Sequence, residues 1–315
     1  MGRITMNILV VGSINMDIVN RVVKHPLPGE TIKGLGTMYA PGGKGANQAV
    51  AASLAGGHVK MLGAVGKDPF SLELVASLEK SNVDTSEIIK KEGTSGMAFI
   101  TVDESGENTI ILSEGSNGKL SIKDVEERLQ LLEEANILLL QNEIPLATTL
   151  FVLKEAARRN VQTYFNPAPA LEIPIDVFPF IDFLILNETE IEVVTGIRID
   201  TEKDQERAIN WLIDKGVKSV ILTLGEKGSQ YYSINEGKII TNGFKVNAID
   251  TTAAGDTFIG AFASAKASGK DTKGALLFAT AASAITVTQE GAQHSIPVKK
   301  EITEFLEVNK EGIDQ

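Results

Sequence analysis

The feature that most constrains this chain is a repeated switch of hydrophobic period. Short runs in which nearly every residue is apolar, NILVVGS (7–13), VKMLGAV, NILLLQ (136–141), VQTYF (161–165), DFLILN (182–187) and SVILTLG (219–225), alternate with longer stretches of helical spacing. Those stretches include ANQAVAASLAG (46–56), FSLELVASLEKS, LATTLFVLKEAARRN, ETEIEVVTG and ERAINWLIDKG, with two more helices after Asp250. A strand apolar on both sides must be covered on both faces, so the alternation predicts an α/β fold with a parallel sheet between helices. At 315 residues and 43% hydrophobic, the chain can bury a large core in one α/β domain with an excursion.

The excursion is visible as a break in rhythm. Residues 14–40 and 94–113 read as strand-like alternations with turn residues and no intervening helix, which predicts a small antiparallel sheet projecting from the main one. There is no internal repeat and no interdomain linker, and PLPGE (26–30) and PAPA (167–170) read as rigid loops.

Composition removes several function classes. Without cysteine there is no disulfide framework, thiolate metal site or cysteine nucleophile, which fits a cytoplasmic protein. The net charge of −11, with basic residues scattered, argues against nucleic acid and anionic membranes as partners. No apolar run approaches the roughly 18 to 20 residues that span a bilayer. The N-terminus lacks a signal-type core, and Met6 stands where myristoylation wants Ser or Thr, so the expectation is a soluble chain. No Gly-Lys pair is followed by Ser or Thr, so there is no Walker A loop, and no GxGxxG follows a strand. His25, His58 and His294 do not make a metal-ligand spacing.

Two glycine-rich turns remain. PGGKGANQA (41–49) opens a helix with adjacent glycines, which let backbone N–H groups approach a polar ligand; an ordinary flexible loop would look the same. DTTAAGDT (250–257) follows FKVNAI (244–249), which reads as a strand, and precedes the helical FIGAFASAKASG. Its small residues could point successive N–H groups at a transferring phosphoryl group, with Asp256 alongside as a proton acceptor. Asp256 could equally do no more than cap the helix.

Six motifs in order, GSINMD (12–17), GGKGANQA (42–49), NETE (187–190), TLGEKG (223–228), DTTAAGDTF (250–258) and GAQHSIP (291–297), resemble those of the ribokinase-like (PfkB) carbohydrate kinases, from about residue 7 to about residue 305. The resemblance implies a three-layer αβα sandwich with a mostly parallel central sheet and a small projecting β-sheet lid, and a homodimer formed through that lid. It implies ATP-dependent phosphorylation of D-ribose at the 5-hydroxyl, with Mg²⁺ on the phosphates and K⁺ as a monovalent activator.

The same resemblance assigns residues. Asp256 matches the catalytic base and Ala253, Ala254 and Gly255 the anion hole. Asn15, Asp17, Gly42, Gly43, Lys44, Asn47 and Glu143 match the sugar site. Asn187 and Glu190 match the motif that organises Mg²⁺ and phosphates. Thr223, Leu224, Gly225, Glu226, Lys227 and Gly228 match a loop bordering the nucleotide, which Gly255 also touches, and Thr280 matches a residue near adenine. Asp250, Thr252, Thr286, Gln289, Gly291 and Ser295 match the K⁺ site. His294 departs from the proline common at that position, and MGRIT before the first strand is an extension without a legible role. Within the family, fructose, 2-deoxyribose or a nucleoside are the alternative substrates. A sugar-binding regulator without catalysis is the alternative outside it, and a nicotinamide oxidoreductase lacks its glycine fingerprint.

Overall fold

In the computed structural model, residues 6–309 are described; the MGRIT extension lies outside them. The strands are β1 (Asn7–Val11), β2 (Asn15–Arg21), β3 (Gly36–Gly42), β4 (His58–Leu62), β5 (Ala64–Val65), β6 (Ile89–Lys90), β7 (Gly96–Val102), β8 (Asn108–Ser113), β9 (Ile137–Gln141), β10 (Gln162–Asn166), β11 (Phe183–Asn187), β12 (Ser219–Thr223), β13 (Ser229–Ser233) and β14 (Gly237–Thr241). The helices are α1 (Lys44–Leu54), α2 (Phe70–Lys80), α3 (Ile122–Glu126), α4 (Gln130–Glu134), α5 (Leu146–Arg158), α6 (Glu188–Thr195), α7 (Glu202–Asp214), α8 (Ala254–Ala267), α9 (Thr272–Thr286) and α10 (Lys299–Val308).

The all-apolar strands do what their pattern requires. In β1, Ile8 and Val10 join one buried cluster with α1, α8 and α9, while Leu9 and Val11 join another with α5 and α7. Ile137 and Leu139 of β9 likewise face the first layer, and Leu138 and Leu140 the second. Alternate side chains point to opposite faces, so a strand must be apolar throughout to serve two helical layers.

The main sheet has the order β14-β13-β12-β11-β10-β9-β1-β4, parallel from β4 to β12 and antiparallel at β13 and β14. The sequence reading missed this last hairpin. From β1 the chain moves outward to β4 and then returns to β9 on the other side, so a crevice opens between the C-terminal ends of β1 and β9. Open α/β sheets bind ligands at such a switch point.

FKVNAI (244–249) is not a strand. β14 already forms the edge, and Gly243 lies so close to the Glu226 carbonyl that a Cβ there would stand 2.1 Å from it. Beyond this the chain leaves the ladder. Of its apolar residues Phe244 packs on a helix, meeting Phe305 of α10 edge-on with ring centroids 5.0 Å apart, while the Ile249 side chain is exposed and its N–H donates to the Val287 carbonyl.

The second sheet has the order β3-β2-β7-β8. It is mixed rather than antiparallel, because β2 and β7 pair parallel between two antiparallel pairs. Hairpin reasoning sets direction only for neighbours in sequence, and β2 and β7 are separated by a long excursion through the core. Among the described residues no helix is long and apolar enough to cross a membrane.

Candidate active site

The crevice is built by four chain segments, three of which turn at or beside glycines and one of which, after β9, carries Glu143. After β1, Gly12 and Ser13 lead directly into β2, so Asn15 and Asp17 share one face of its first turn of pleat. β3 returns to end at Gly42, opposite Asn15. Gly43 has φ of 91° and precedes α1; a Cβ on it would lie 2.8 Å from the Asn15 nitrogen. Only glycine allows both that backbone and that approach.

Glu143 follows β9 and accepts three hydrogen bonds at Oε2: from the Ser13 hydroxyl at 2.6 Å, the Lys44 N–H at 3.1 Å and the Asn15 amide at 3.5 Å. Asn117 holds Asn15 from behind. Its amide donates to Asn15 Oδ1 at 2.6 Å and to the Ile14 carbonyl, and its Oδ1 accepts from the Ile14 N–H.

The structure excludes a side-chain cap by Asp256. The N-cap of α8 is Ala253, with φ of 60° and no side-chain cap bond. Asp256 instead turns inward, 7% exposed, and accepts from the Asn47 amide at Oδ2 (3.2 Å) and from the Gln48 amide at Oδ1 (3.0 Å). Capping is therefore not its role. A non-glycine residue at left-handed φ costs roughly 1–2 kcal/mol, and here it sets the path into the helix. The N–H groups of a first helical turn have no intrahelical acceptor. That of Ala254 reaches the Thr251 carbonyl at 3.2 Å, while a Cβ on Gly255 would meet nothing within 4 Å.

Three carboxylates, Asp256, Glu143 and Glu190, act on one ammonium, that of Lys44, and a fourth, Asp17, is coupled to Glu143 and Asp256. Burial raises Asp17 from its ordinary 3.8 to about 7, and the Glu143 and Asp256 charges add to the effect. Burial also raises Glu143 and Glu190, against hydrogen bonds from Ser13 and Asn187 respectively. Burial opposes the charge on Lys44, but Asp256, Glu143 and Glu190 outweigh it and hold the amine above its usual value.

Along the sheet, Asn187 pairs in register with Thr223, which brings NETE beside the loop 223–228. Asn187 caps α6: its Oδ1 accepts from the Glu190 N–H at 2.8 Å, and its own N–H donates to Glu190 Oε2 at 2.9 Å. Glu190 Oε1 makes no hydrogen bond among the described residues. Thr280 sits buried in α9, and its hydroxyl donates to the Leu276 carbonyl.

At the foot of α8, Asp250 Oδ1 accepts from the Thr252 N–H and hydroxyl, and Oδ2 from the Gly291 N–H. These bonds, with those from Thr252 first and Arg21 nearby, hold Asp250 below the usual carboxylate range despite partial burial. The Ile249 and Asp250 N–H groups both reach the Val287 carbonyl, so segments 249–252 and 286–291 lie side by side. The Ser295 hydroxyl is bonded to the Ala292 carbonyl.

A family profile described as pfkB family carbohydrate kinase matches residues 5–299. The chain belongs to this family. Among carbohydrate kinases of the family, a ribokinase from Haemophilus influenzae is 41% identical over 95% of this chain and 97% of its own. A deoxyribokinase from Salmonella typhi is 35% identical over 97% of this chain and all of its own. The solved structure of an Arabidopsis thaliana ribokinase complexed with ribose and ATP superposes with a TM-score of 0.89 at 31% identity, covering 96% of this chain and 99% of that one. The α/β fold read from the alternation of strands and helices is thus the fold of the pfkB kinases.

Ser13, Gln48, Asn117 and Gln141 also belong to this constellation, and the sequence reading passed over all four. Gln48 stands within a quoted motif, one residue after Asn47, but a helical glutamine gives no signal of facing inward. Asn117 lies about a hundred residues from its partner, and only the pairing of β2 with β7 reveals their contact.

Proposed function

We propose that this chain transfers the γ-phosphoryl group of ATP to the 5-hydroxyl of D-ribose, releasing ADP and D-ribose 5-phosphate. The observation that carries the reading is Asp256: a buried carboxylate, anchored by two amides, in the first turn of a helix that opens onto free space beside Gly255.

Asn15, Asp17, Lys44, Asn47 and Glu143, with the Gly42-Gly43 backbone, bind and orient the sugar hydroxyls. Asn47 Oδ1 is buried without a partner among the described residues, an acceptor suited to a hydroxyl. Asp256 takes the proton of the 5-hydroxyl as that oxygen bonds to the γ-phosphorus and the bridging oxygen departs with ADP. The N–H groups of Ala253 and Gly255, joined by that of Ala254 when it leaves the Thr251 carbonyl, balance the charge spread over the transferring group; donors of this kind are each worth about a hundredfold to a thousandfold in rate.

Asn187, Glu190, Thr223 to Gly228 and Thr280 form the nucleotide side. Glu190 Oε1, free of internal bonds and beside Asn187, suits the hydration shell of Mg²⁺, which neutralises phosphate charge when bound. Asp250, Thr252, Thr286, Gln289, Gly291 and Ser295 would hold K⁺; an all-oxygen set with one carboxylate fits a hard monovalent cation. The reading includes a cytoplasmic setting, where ATP is available, and a homodimer through the projecting sheet. Asp17 shares its face of that sheet with Met38, Ile110 and Leu112, which are 47%, 51% and 44% exposed, and such a patch marks an interface.

The test is a coupled ADP-release assay with MgATP and K⁺ across ribose, 2-deoxyribose, fructose and adenosine. The expected result is the highest kcat/KM on ribose. Preference for 2-deoxyribose would move the chain to the deoxyribokinase reading, and no turnover on any acceptor would end the kinase reading. Asp256→Asn should lower kcat about a hundredfold to ten-thousandfold with ribose affinity largely kept; near-normal turnover would remove Asp256 as the base.

A further inference from the structure

Behind Asp256 lies a pair of amides that touches no solvent. Gln48 and Gln141 are both 0% exposed. Gln48 Nε2 donates to Asp256 Oδ1 at 3.0 Å, and Gln48 Oε1 accepts from Gln141 Nε2 at 2.6 Å. Gln141 is the last residue of β9, two before Glu143. Room for it depends on Gly12, since a Cβ there would stand 2.2 Å from Gln141 Oε1.

We infer that Gln48 and Gln141 are positioning residues that fix the orientation of Asp256, so that Oδ1 stays anchored and Oδ2 is the atom that receives the substrate proton. The inference rests on the reading of Asp256 as the base. A primary amide can present either its NH₂ or its oxygen to a neighbour. Because Gln141 donates to the oxygen of Gln48, the NH₂ of Gln48 must face Asp256. Without Gln141, Gln48 can turn and set its oxygen against the carboxylate, which opposes ionisation and releases the torsion of the base.

Stability does not explain the pair. Gln141 Oε1 is buried with no hydrogen-bond partner among the described residues, and leaving such a group unsatisfied costs more than an apolar side chain of the same shape would. The relay joins the base to the strand that carries the sugar-site acid Glu143. Oδ2 shares only Asn47, itself in the sugar set, and therefore faces the reacting hydroxyl.

The experiment measures kcat and KM for ribose from pH 5 to 9 in the wild-type chain, Gln141→Met, Gln48→Met and the double variant. Gln141→Met is expected to keep KM within about twofold, lower kcat at neutral pH about tenfold, and move the acid limb of kcat upward by about one pH unit. Gln48→Met should do at least as much, and the double variant no more than Gln48→Met, because Gln141 acts only through Gln48. Should Gln141→Met fail to fold, Gln141→Asn, a polar residue too short to reach Gln48, gives the same reading. A lowered melting temperature with an unchanged kcat profile, or additive losses in the double variant, would overturn the relay while leaving the kinase intact. A wild-type chain that phosphorylates no sugar would overturn both readings together.

Discussion

Asp17 offers the most quantitative handle on the site. Its carboxyl is 8% exposed and titrates at about 7 rather than 3.8, chiefly because burial disfavours the charge and secondarily because Glu143 and Asp256 repel it. The folded chain without sugar therefore binds more protons here than the unfolded chain between about pH 4 and 7, and its stability falls as pH rises through that window. Three pH units correspond to about 4 kcal/mol of ionisation cost in the folded state, fully present only above about pH 7. Asp17→Asn keeps the shape and removes the charge. In urea melts it should be more stable than wild type by about 2–4 kcal/mol at pH 8.5, with the difference fading towards zero at pH 4. On the proposed reading ribose binding has the opposite sign, because an ionised Asp17 would accept from two hydroxyls. Wild-type affinity by calorimetry should fall about fivefold from pH 7 to pH 6 and about tenfold again to pH 5. Asp17→Asn should bind weakly and without that slope. A stability difference between the two chains that does not change with pH would refute the argument, since it would mean that the carboxyl does not titrate in the folded state where its burial requires.

Asn117→Leu should raise KM for ribose about tenfold while changing kcat little, because it frees the Asn15 amide without touching Asp256; unchanged KM would show that Asn15 needs no support. Replacing K⁺ by a bulky organic cation at fixed ionic strength should depress turnover, and Asp250→Asn should abolish the K⁺ response; equal rates in both salts would remove the cation site. Ile110→Glu with Leu112→Glu should convert a dimer to monomers by light scattering, and a wild-type chain that is already monomeric would dispose of the lid interface.

The readability of this chain divides along physical lines. The main sheet was legible because a strand buried on both faces has no other sequence solution, as Leu138, Leu139 and Leu140 illustrate. The edge hairpin β13-β14 was not, since SQYYS and GKIIT are half-polar and resemble surface loops. FKVNAI misled because its alternation is not matched by burial on one side: Phe244 packs on α10, but the Ile249 side chain is exposed. Among the site residues, Asp256, Asn47 and Lys44 stood out through the small residues around them. Gln48, Gln141 and Asn117 act by orienting other side chains, so their meaning lies in tertiary distances that no local pattern encodes.

The local charge explains why such a site would need cations. Glu143, Glu190 and Asp256 act on the ammonium of Lys44, and Asp17 is coupled to Glu143 and Asp256, within a chain whose net charge is already −11. A polyphosphate approaching this crevice meets attraction from Lys44, from Lys227 in the nucleotide loop and from the N–H groups at the start of α8, whose dipole contributes about half a positive charge. Two features reduce the repulsion before any ion binds. Protonation of Asp17 near neutrality removes one negative charge from the empty site, and sugar hydroxyls that donate to Asp17 and Glu143 then take over the role of the proton. Sugar binding should therefore cost the nucleotide little, and the cations would need to offset mainly the phosphate charge and that of Asp256. It follows that raising pH from 6 to 8 in the absence of sugar should weaken nucleotide binding more than in its presence. Equal pH slopes for ATP affinity with and without ribose would show that the two sites do not share this electrostatic account.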